Sequence, residues 1–464
     1  MKSNIIALLV LVISLSAYSQ ENCDCEQSLS QLIQKMESEY PGFREKTADT
    51  IMYRDFKDRL IRESQDGVNA GCYDLLKRYL SYFRDPHVSL TQTNIEQDKK
   101  TDQTDNTSSD KVSITLDQFH KHILSSDDEL EGVWNSSYYK VGILRVNDEY
   151  QGFIIEAQNP SWHPNEIKFR LTIDGNADYY MGNHSLEEDS YELHDGCILS
   201  FKNLSSAFIK ELPEPKLTED QIESRLEAIE GFYFIKLTDK TSLLCISSFE
   251  DPYVERIERI VSENQQAIEN CENLIIDVRN NLGGTYDAYD EILPYIVTNQ
   301  NREVGTEFLV TQTLIDGVEA WFDDEAGKEK ARRWIDMFKG NIGKFVNTDT
   351  SDVYVNKIQI AEHSPRQIAV LANKRTASSG EAFVLEVKQS KKAKILGVPT
   401  YGAIDYGSAT PFDFGCPDYQ LMMPTWRSMR LPDYPIDNIG IQPDVYLDES
   451  VEDWVQFAVD YLEN

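Results

Sequence analysis

Helical spacing of apolar residues marks the first part of the chain. Between residues 29 and 40, and again between residues 75 and 83, large apolar side chains recur at i, i+3, i+4 and i+7, the pattern of an amphipathic helix. Pro41-Gly42 and Asp85-Pro86 follow these stretches and end each helix, because proline has no backbone N–H to donate. Residues 20–95 are therefore predicted to form a helical N-terminal region.

The middle of the chain changes from a polar stretch to strand-like alternation. Residues 96–111 contain no large apolar side chain and cannot bury a core, so residues 96–112 are predicted to be a linker. From residue 113 to residue 215, short apolar or alternating runs such as 139–144 lie between turn residues. This pattern, which begins at Leu116, predicts a β-rich inserted domain.

The last part of the chain, residues 216–464, alternates strand-like and helix-like stretches. The predicted strands are 232–237, 242–246, 274–278 and 368–371, and the predicted helices are 254–270, 288–297 and 381–390. Residues 305–356 are charged and only partly periodic, which suits a helical excursion or lid. Alternation of this kind predicts an α/β domain with a mainly parallel sheet.

Length and charge limit the class of protein. A chain of 464 residues exceeds one typical domain. Its formal net charge of −34 excludes nucleic acid and anionic membranes as partners, since both would repel it. Residues 1–19 have the charged start, short apolar run and small-residue end of a signal peptide, and no second membrane span is evident. A secreted or periplasmic protein is expected, and its oligomeric state is not indicated.

The seven cysteines predict a disulfide but no metal site. They include no C-x-x-C pair, so zinc-ligand spacing is absent, and neither a metal nor a cofactor is expected. Cys25 or Cys23 is expected to pair with Cys72, because these cysteines flank the N-terminal helical region and export permits oxidation.

Ser378 lies at a predicted strand-to-helix turn and is the candidate nucleophile. Such a serine sits beside unpaired backbone N–H groups and the positive end of a helix dipole, which stabilise negative charge on an attacked carbonyl oxygen. The alternative is structural: Ser378-x-x-Glu381 also has the form of a capping box, which only satisfies the first N–H groups of a helix.

A glycine pair follows the predicted strand 274–278. Gly283 and Gly284 allow backbone N–H groups to approach a ligand closely, because no Cβ stands in the way. A plain strand-to-helix turn is the alternative. A phosphate loop is excluded, since both G-x-G-x-x-G and the G-K-[ST] ending are missing.

Taken in order, four motifs resemble the carboxy-terminal processing (tail-specific) serine protease family, which also includes the tricorn-core-like peptidases. They are Asp277-Val278-Arg279-x-Asn281-x-Gly283-Gly284, Thr376-Ala377-Ser378-Ser379-Gly380-Glu381, Gly397-x-x-Thr400-x-Gly402 and Gly440-Ile441-Gln442-Pro443-Asp444. The resemblance implies a crotonase-like ββα spiral for residues 216–464 and hydrolysis of peptide bonds through an acyl-enzyme. It covers roughly residues 232–447, together with Asp85-Pro86-His87.

The resemblance also implies roles for individual residues. Ser378 resembles the nucleophile, and the N–H groups of Ser379 and of Gly283 or Gly284 resemble the oxyanion hole. The processing branch uses a lysine base after the Thr-x-Gly motif, but Ala403 occupies that position here. Because a serine without a base is a poor nucleophile, a Ser–Lys dyad is not expected.

The tricorn-like branch uses a histidine oriented by an acid, and this chain offers His87 and Asp437 for those roles. Three alternatives stay open: His87 is a structural histidine, Asp437 caps a local turn with Asn438, or Asp405 is the acid. The family's usual PDZ module is not evident, so a preference for C-terminal tails is not implied.

The resulting prediction is a secreted serine peptidase that acts on peptides or proteins, with endopeptidase activity expected. The rival prediction is a non-catalytic ligand- or peptide-binding protein on the same fold, because the family's lysine is missing.

Overall fold

The computed structural model describes residues 24–65, 71–93 and 111–464, apart from the single positions 137, 183, 203, 205, 323 and 350. The predicted signal peptide and nearly all of the predicted linker lie outside these residues. The chain divides into two compact units. The first comprises Met1–Gln97, Glu303–Tyr354 and Ala403–Asn438, and the second comprises Asp98–Arg302, Val355–Gly402 and Ile439–Asn464. Two short strands, Asn301–Val304 and Val353–Asn356, contain two of the points at which the chain changes unit.

The first unit has a helical core. Its helices are Cys25–Glu39, Phe43–Lys46, Thr50–Gln65, Cys72–Ser81, Gln312–Gly317 and Glu325–Phe338, with a 3₁₀ turn at Val318–Trp321. The two N-terminal helices expected from apolar spacing are confirmed. Their buried residues, among them Leu32, Met36 and Leu76, form one core. A disulfide joins Cys25 to Cys72, with Cα atoms 5.5 Å apart, which confirms one of the two expected pairings.

Two small sheets complete the first unit. One contains Ser89–Gln92, Tyr419–Met423 and Thr410–Phe412, and the other contains Phe345–Val346, Thr306–Leu309, Trp426–Ser428 and Tyr406–Gly407. The predicted helical excursion at residues 305–356 is therefore mixed, since strands flank its helices. That these later residues group with the N-terminal helices is not indicated by the sequence.

A six-stranded sheet forms the centre of the second unit. In spatial order its strands are Phe232–Lys236, Thr241–Ile246, Asn273–Asp277, Gln367–Ala372, Ala393–Gly397 and Val445–Tyr446. The first pair is antiparallel and the others are parallel, as the alternating pattern predicts. Residues of Asn273–Asp277 are all buried, which explains their continuous apolar run.

The segment predicted to be β-rich forms a closed eight-stranded barrel. Its strands are Gly132–Asn135, Tyr139–Val146, Glu149–Ala157, Ile167–Thr172, Asn176–Tyr180, Leu186–His194, Ile198–Phe201 and Ser206–Leu212. The first strand pairs with the last, which closes the barrel. The prediction is wrong at the start of the segment: Leu116–Ile123 is a helix, and Thr115 caps it in a capping box with Gln118.

The remaining helices of the second unit are Glu219–Glu230, Val254–Glu263, Gln265–Asn270, Leu293–Ile296, Ser379–Val387 and Trp454–Glu463. The helix predicted at 254–270 is interrupted at Asn264, whose side-chain amide donates to the carbonyl of Ile260. The helix predicted at 288–297 is confirmed only for Leu293–Ile296. A 3₁₀ turn occupies Asp287–Tyr289, and the following helix starts beside Pro294, which has no N–H to continue an earlier one.

Throughout the described ranges, no helix combines the length and the apolar character needed to cross a bilayer.

Candidate active site

Ser378 follows a buried strand and precedes a buried helix, as the sequence predicts. The strand Gln367–Ala372 ends in a turn that Thr376 holds closed. The Thr376 hydroxyl donates to the carbonyl of Val278 (2.9 Å) and accepts the N–H of Asn373 (3.1 Å). The serine turn is thereby tied to the end of the neighbouring parallel strand, Asn273–Asp277.

The backbone of Ser378 is strained. Its φ of 52° and ψ of −122° lie outside the regions that L-residues normally adopt, and such a conformation costs about 1–3 kcal/mol. Ser378 is the N-cap of the helix Ser379–Val387, so the first N–H groups of that helix and its positive dipole end lie at the serine. A strained serine at this position is typical of a nucleophile held in place by its surroundings.

Glu381 holds the serine turn to two further motifs. Its carboxylate is buried and accepts the N–H of Ser378 (3.2 Å), as half of a capping box would. The same carboxylate also accepts the hydroxyl of Thr400 (2.5 Å) and the N–H of Gly402 (2.8 Å). Thr400 in turn accepts the N–H of Ile441 (2.7 Å). Glu381 therefore connects the serine motif to the motifs that contain Thr400 and Ile441, in addition to its role in the capping box.

The glycine pair packs directly against the serine. Gly283 has a φ of +101°, and a Cβ on it would lie 2.7 Å from Cβ of Ser378 and 2.9 Å from the nitrogen of Ser379. A Cβ on Gly284, at φ +143°, would lie 2.1 Å from the backbone of Phe249. Both positions therefore require glycine. The structure brings Ser378, Ser379, Gly283 and Gly284 together within the second unit.

Asn281, a member of the first motif, fixes the glycine loop, a role that was not predicted from the sequence. It is fully buried, and its side chain donates to the carbonyl of Ile246 (3.1 Å) and accepts the N–H of Gly283 (2.9 Å). Its own carbonyl accepts the N–H of Ala377 (2.9 Å). Because the Gly283 N–H already donates to Asn281, Gly284 is the better donor for an oxyanion.

His87 belongs to the first unit, where it contacts Asp85. The backbone N–H of His87 donates to Oδ1 of Asp85 (2.9 Å), and Nδ1 of its ring lies 3.4 Å from the same oxygen. Tyr40 donates its hydroxyl to the other oxygen (2.7 Å). Burial alone would raise the pKa of Asp85. The hydrogen bonds from His87, the charge of its ring and the hydrogen bond from Tyr40 together hold that pKa below its ordinary value.

Asp437, also in the first unit, is a buried carboxylate with few partners. Its Oδ1 accepts the N–H groups of Ile404 (2.9 Å) and Asp405 (2.8 Å), and Nζ of Lys46 lies 3.6 Å from Oδ2. Burial raises the pKa of Asp437 to about 6, and the negative charge of Asp85 adds to this effect. Because its carboxylate bonds a segment more than thirty residues earlier, Asp437 does more than cap a local turn with Asn438.

Asp405 supports Asp437. Its fully buried carboxylate accepts the N–H groups of Ile436 (2.6 Å) and Asp437 (2.8 Å), and Arg430 lies 3.4 Å away. These bonds position the backbone of the predicted acid. Tyr40, Lys46 and the role of Asp85 were missed, although Asp85 stands in the Asp-Pro-His motif and was available as a signal.

Residues 240–447 match the model of peptidase family S41. This segment belongs to peptidase family S41. It includes Ser378, both glycines and Asp437, whereas His87 lies outside it. Membership of S41 supports a serine peptidase. Ala403, where the processing branch has its lysine, is buried and carries no amine.

Solved structures are similar to this chain at low sequence identity. Mature CPAF complexed with lactacystin is 13% identical with a TM-score of 0.51, and the match covers 95% of this chain and 97% of that one. A putative peptidase from Parabacteroides merdae is 13% identical, at 96% and 98% coverage and a TM-score of 0.45. The tricorn protease is 13% identical, at 95% and 37% coverage and a TM-score of 0.41. No curated protein sequence matches the chain.

Proposed function

We propose that this S41 protein is a serine endopeptidase in which Ser378 attacks the scissile carbonyl and forms an acyl-enzyme. The observation that carries the proposal is the strained Ser378 backbone, held at the start of a buried helix with Gly283 packed against it. Strain of this kind persists only where the surrounding structure over-determines it. A serine that merely capped a helix would not require it.

His87 is the proposed base. Its Nδ1 lies beside Asp85, which leaves Nε2 to accept the proton of the Ser378 hydroxyl and later to give it to the leaving amine. Asp437 is proposed as the acid of the triad, in the manner of the tricorn-like branch, and would act on the imidazolium together with Asp85, which lies at Nδ1. Buried carboxylates at Asp85 and Asp437 favour the imidazolium that forms during attack, because opposite charges interact strongly in a site of low dielectric constant.

The N–H groups of Gly284 and Ser379 are the proposed oxyanion donors. Gly283 is not a proposed donor, because its N–H already donates to Asn281. Its role in the proposal is to let the glycine loop pack against Ser378 without a Cβ in the way. The first helical N–H of Ser379–Val387 also brings the positive end of the helix dipole to the developing charge.

A secreted or periplasmic location is part of the proposal. The Cys25–Cys72 disulfide supports it, because such bonds persist in oxidising compartments. Peptide or protein segments are the proposed substrates.

A fluorophosphonate probe and a peptide library test the mechanism on the purified full-length chain. We expect Ser378→Ala to abolish both labelling and cleavage, and His87→Ala to lower both by about 10³-fold or more. His363→Ala is the matched control, because His363 is exposed and lies outside the site. Cleavage retained by Ser378→Ala would refute the mechanism. Saturable peptide binding with neither labelling nor cleavage by the unaltered protein would favour the non-catalytic alternative.

A further inference from the structure

A large cleft in the second unit runs from the outer wall of the barrel to the loops that hold the serine. Its volume is about 1010 Å³. At one end it is lined by Leu282, which directly precedes Gly283, and by Asn373 and Arg375 from the turn before Ser378. Gly283 packs against Ser378, so this end of the cleft borders the serine turn, although Ser378 itself is not among the lining residues.

The barrel forms the opposite wall. Ser190, Glu192 and His194 alternate along the strand Leu186–His194 and line the cleft together with Tyr191, so this strand forms part of the wall. The neighbouring strand adds Ser200 and Phe201. Most of these side chains are polar, and the volume of the cleft leaves room for another chain to lie along the wall.

The central sheet presents its terminal strand to the same cleft. Among the described residues, Phe232–Lys236 pairs with Thr241–Ile246 alone, and its first two residues line the cleft. A terminal strand offers backbone N–H and C=O groups to an extended segment. The volume also lies at the upper end of the range for small-ligand sites. Both observations favour an extended peptide as the occupant.

Charge distinguishes the end nearest the serine. Asp277 is neutralised there by Arg279 (2.6 Å), while Arg375 is exposed and has no ion-pair partner within the described part of the chain. An unpaired cation in a protein of net charge −34 is suited to a negatively charged group on the substrate. Arg375 stands in the turn that leads to Ser378, so that group would lie on the side of the cleft that borders the serine turn.

We propose that this cleft binds the peptide substrate in extended form, with the barrel as one wall, and that Arg375 selects substrates with an acidic side chain near the cleavage site. The proposal rests on the peptidase function and names its substrate class. Arg375 acts here as a specificity residue, and the barrel takes the place of a separate peptide-binding module.

Binding measured without catalysis tests the charge preference. The probe is a set of fluorescein-labelled decapeptides of alanine, serine and leucine, each with one glutamate or one lysine at a scanned position, added to the full-length Ser378→Ala protein. At the position that meets Arg375 we expect the glutamate peptide to bind about tenfold more tightly than the lysine peptide. Arg375→Glu should reverse this preference. Lys374→Glu is the matched control, since Lys374 is exposed, adjacent and does not line the cleft.

A second variant tests the barrel wall. Ser190→Trp should fill the cleft and weaken every decapeptide by about tenfold or more, while fluorophosphonate labelling of the Ser378 form continues at its normal rate. Glu188→Trp places the same bulk on the same strand outside the cleft and should have no effect. Equal binding of glutamate and lysine peptides at every position, no binding of any peptide, or no effect of Ser190→Trp would each overturn the proposal.

The two proposals fail in different ways. Labelling of Ser378 without any charge preference would leave the peptidase intact and remove the role of Arg375. Charge-selective binding without labelling would leave the cleft intact and remove the peptidase mechanism.

Discussion

The buried carboxylate of Asp437 makes the stability of the protein depend on pH in a predictable direction. Burial raises its pKa from 3.8 to about 6, so between these values the folded protein binds more protons at this site than the unfolded chain. Stability then falls as pH rises. The contribution is fully present below pH 3.8 and is lost as pH rises through about 6.

The size follows from the same two pKa values. A difference of about two pH units corresponds to about 3 kcal/mol over the whole range, at about 1.36 kcal/mol per unit. Between pH 5 and pH 8, where only part of the titration occurs, this group alone should remove about 1.4 kcal/mol of stability. Asparagine retains an oxygen that can accept the N–H groups of Ile404 and Asp405, but it does not titrate.

Urea unfolding of the unaltered protein, Asp437→Asn and Asp433→Asn at pH 5 and pH 8 measures the effect. From pH 5 to pH 8, we expect the unaltered protein to lose about 1.4 kcal/mol of unfolding free energy relative to Asp437→Asn, which lacks the titrating group. Asp433 is exposed in the same segment, and its variant should follow the unaltered protein. An identical pH dependence in all three proteins would refute the reasoning. If Asp437 is the orienting acid, the same variant should also lose peptidase activity.

Two further substitutions test the serine turn. Glu381→Gln should destabilise the protein by about 1–3 kcal/mol and slow fluorophosphonate labelling. The reason is that the amide nitrogen of glutamine would face one of the three groups that donate to the carboxylate, on Ser378, Thr400 and Gly402. An unchanged labelling rate would contradict this role. Gly283→Ala should lower the labelling rate by about 100-fold or more, because the new Cβ would displace Ser378. Gly343→Ala is the control: Gly343 also has a positive φ, of +78°, but lies in open space, so its alanine should cost stability through backbone strain and leave labelling unchanged. Equal effects of the two alanines on labelling would remove the argument from close approach.

Local patterns in the sequence predict the elements around the serine well. The run Ile368–Leu371 lies inside the strand Gln367–Ala372, and the serine begins a helix as expected, because a buried strand and a helix N-terminus each leave a local signature. Breaks within elements are harder to predict. Asn264 and Pro294 interrupt predicted helices through single side-chain effects that apolar spacing does not register.

The partners of buried polar groups could not be predicted. Asp405 and Asp437 bind each other's backbone across about thirty residues, and Tyr40 reaches Asp85 across forty-five, so these contacts depend on the tertiary fold alone. The closure of eight short strands into a barrel is non-local in the same way, since alternation reveals strands but not which ones pair at the ends.

The bond between Cys25 and Cys72 also affects how damage to the protein would be seen. A cut in the chain anywhere between these two positions leaves both fragments covalently attached. For a protein proposed to cleave peptide bonds, self-digestion in this stretch would go unnoticed on a gel run without a reducing agent. Only after reduction would the nicked molecules separate from the intact ones.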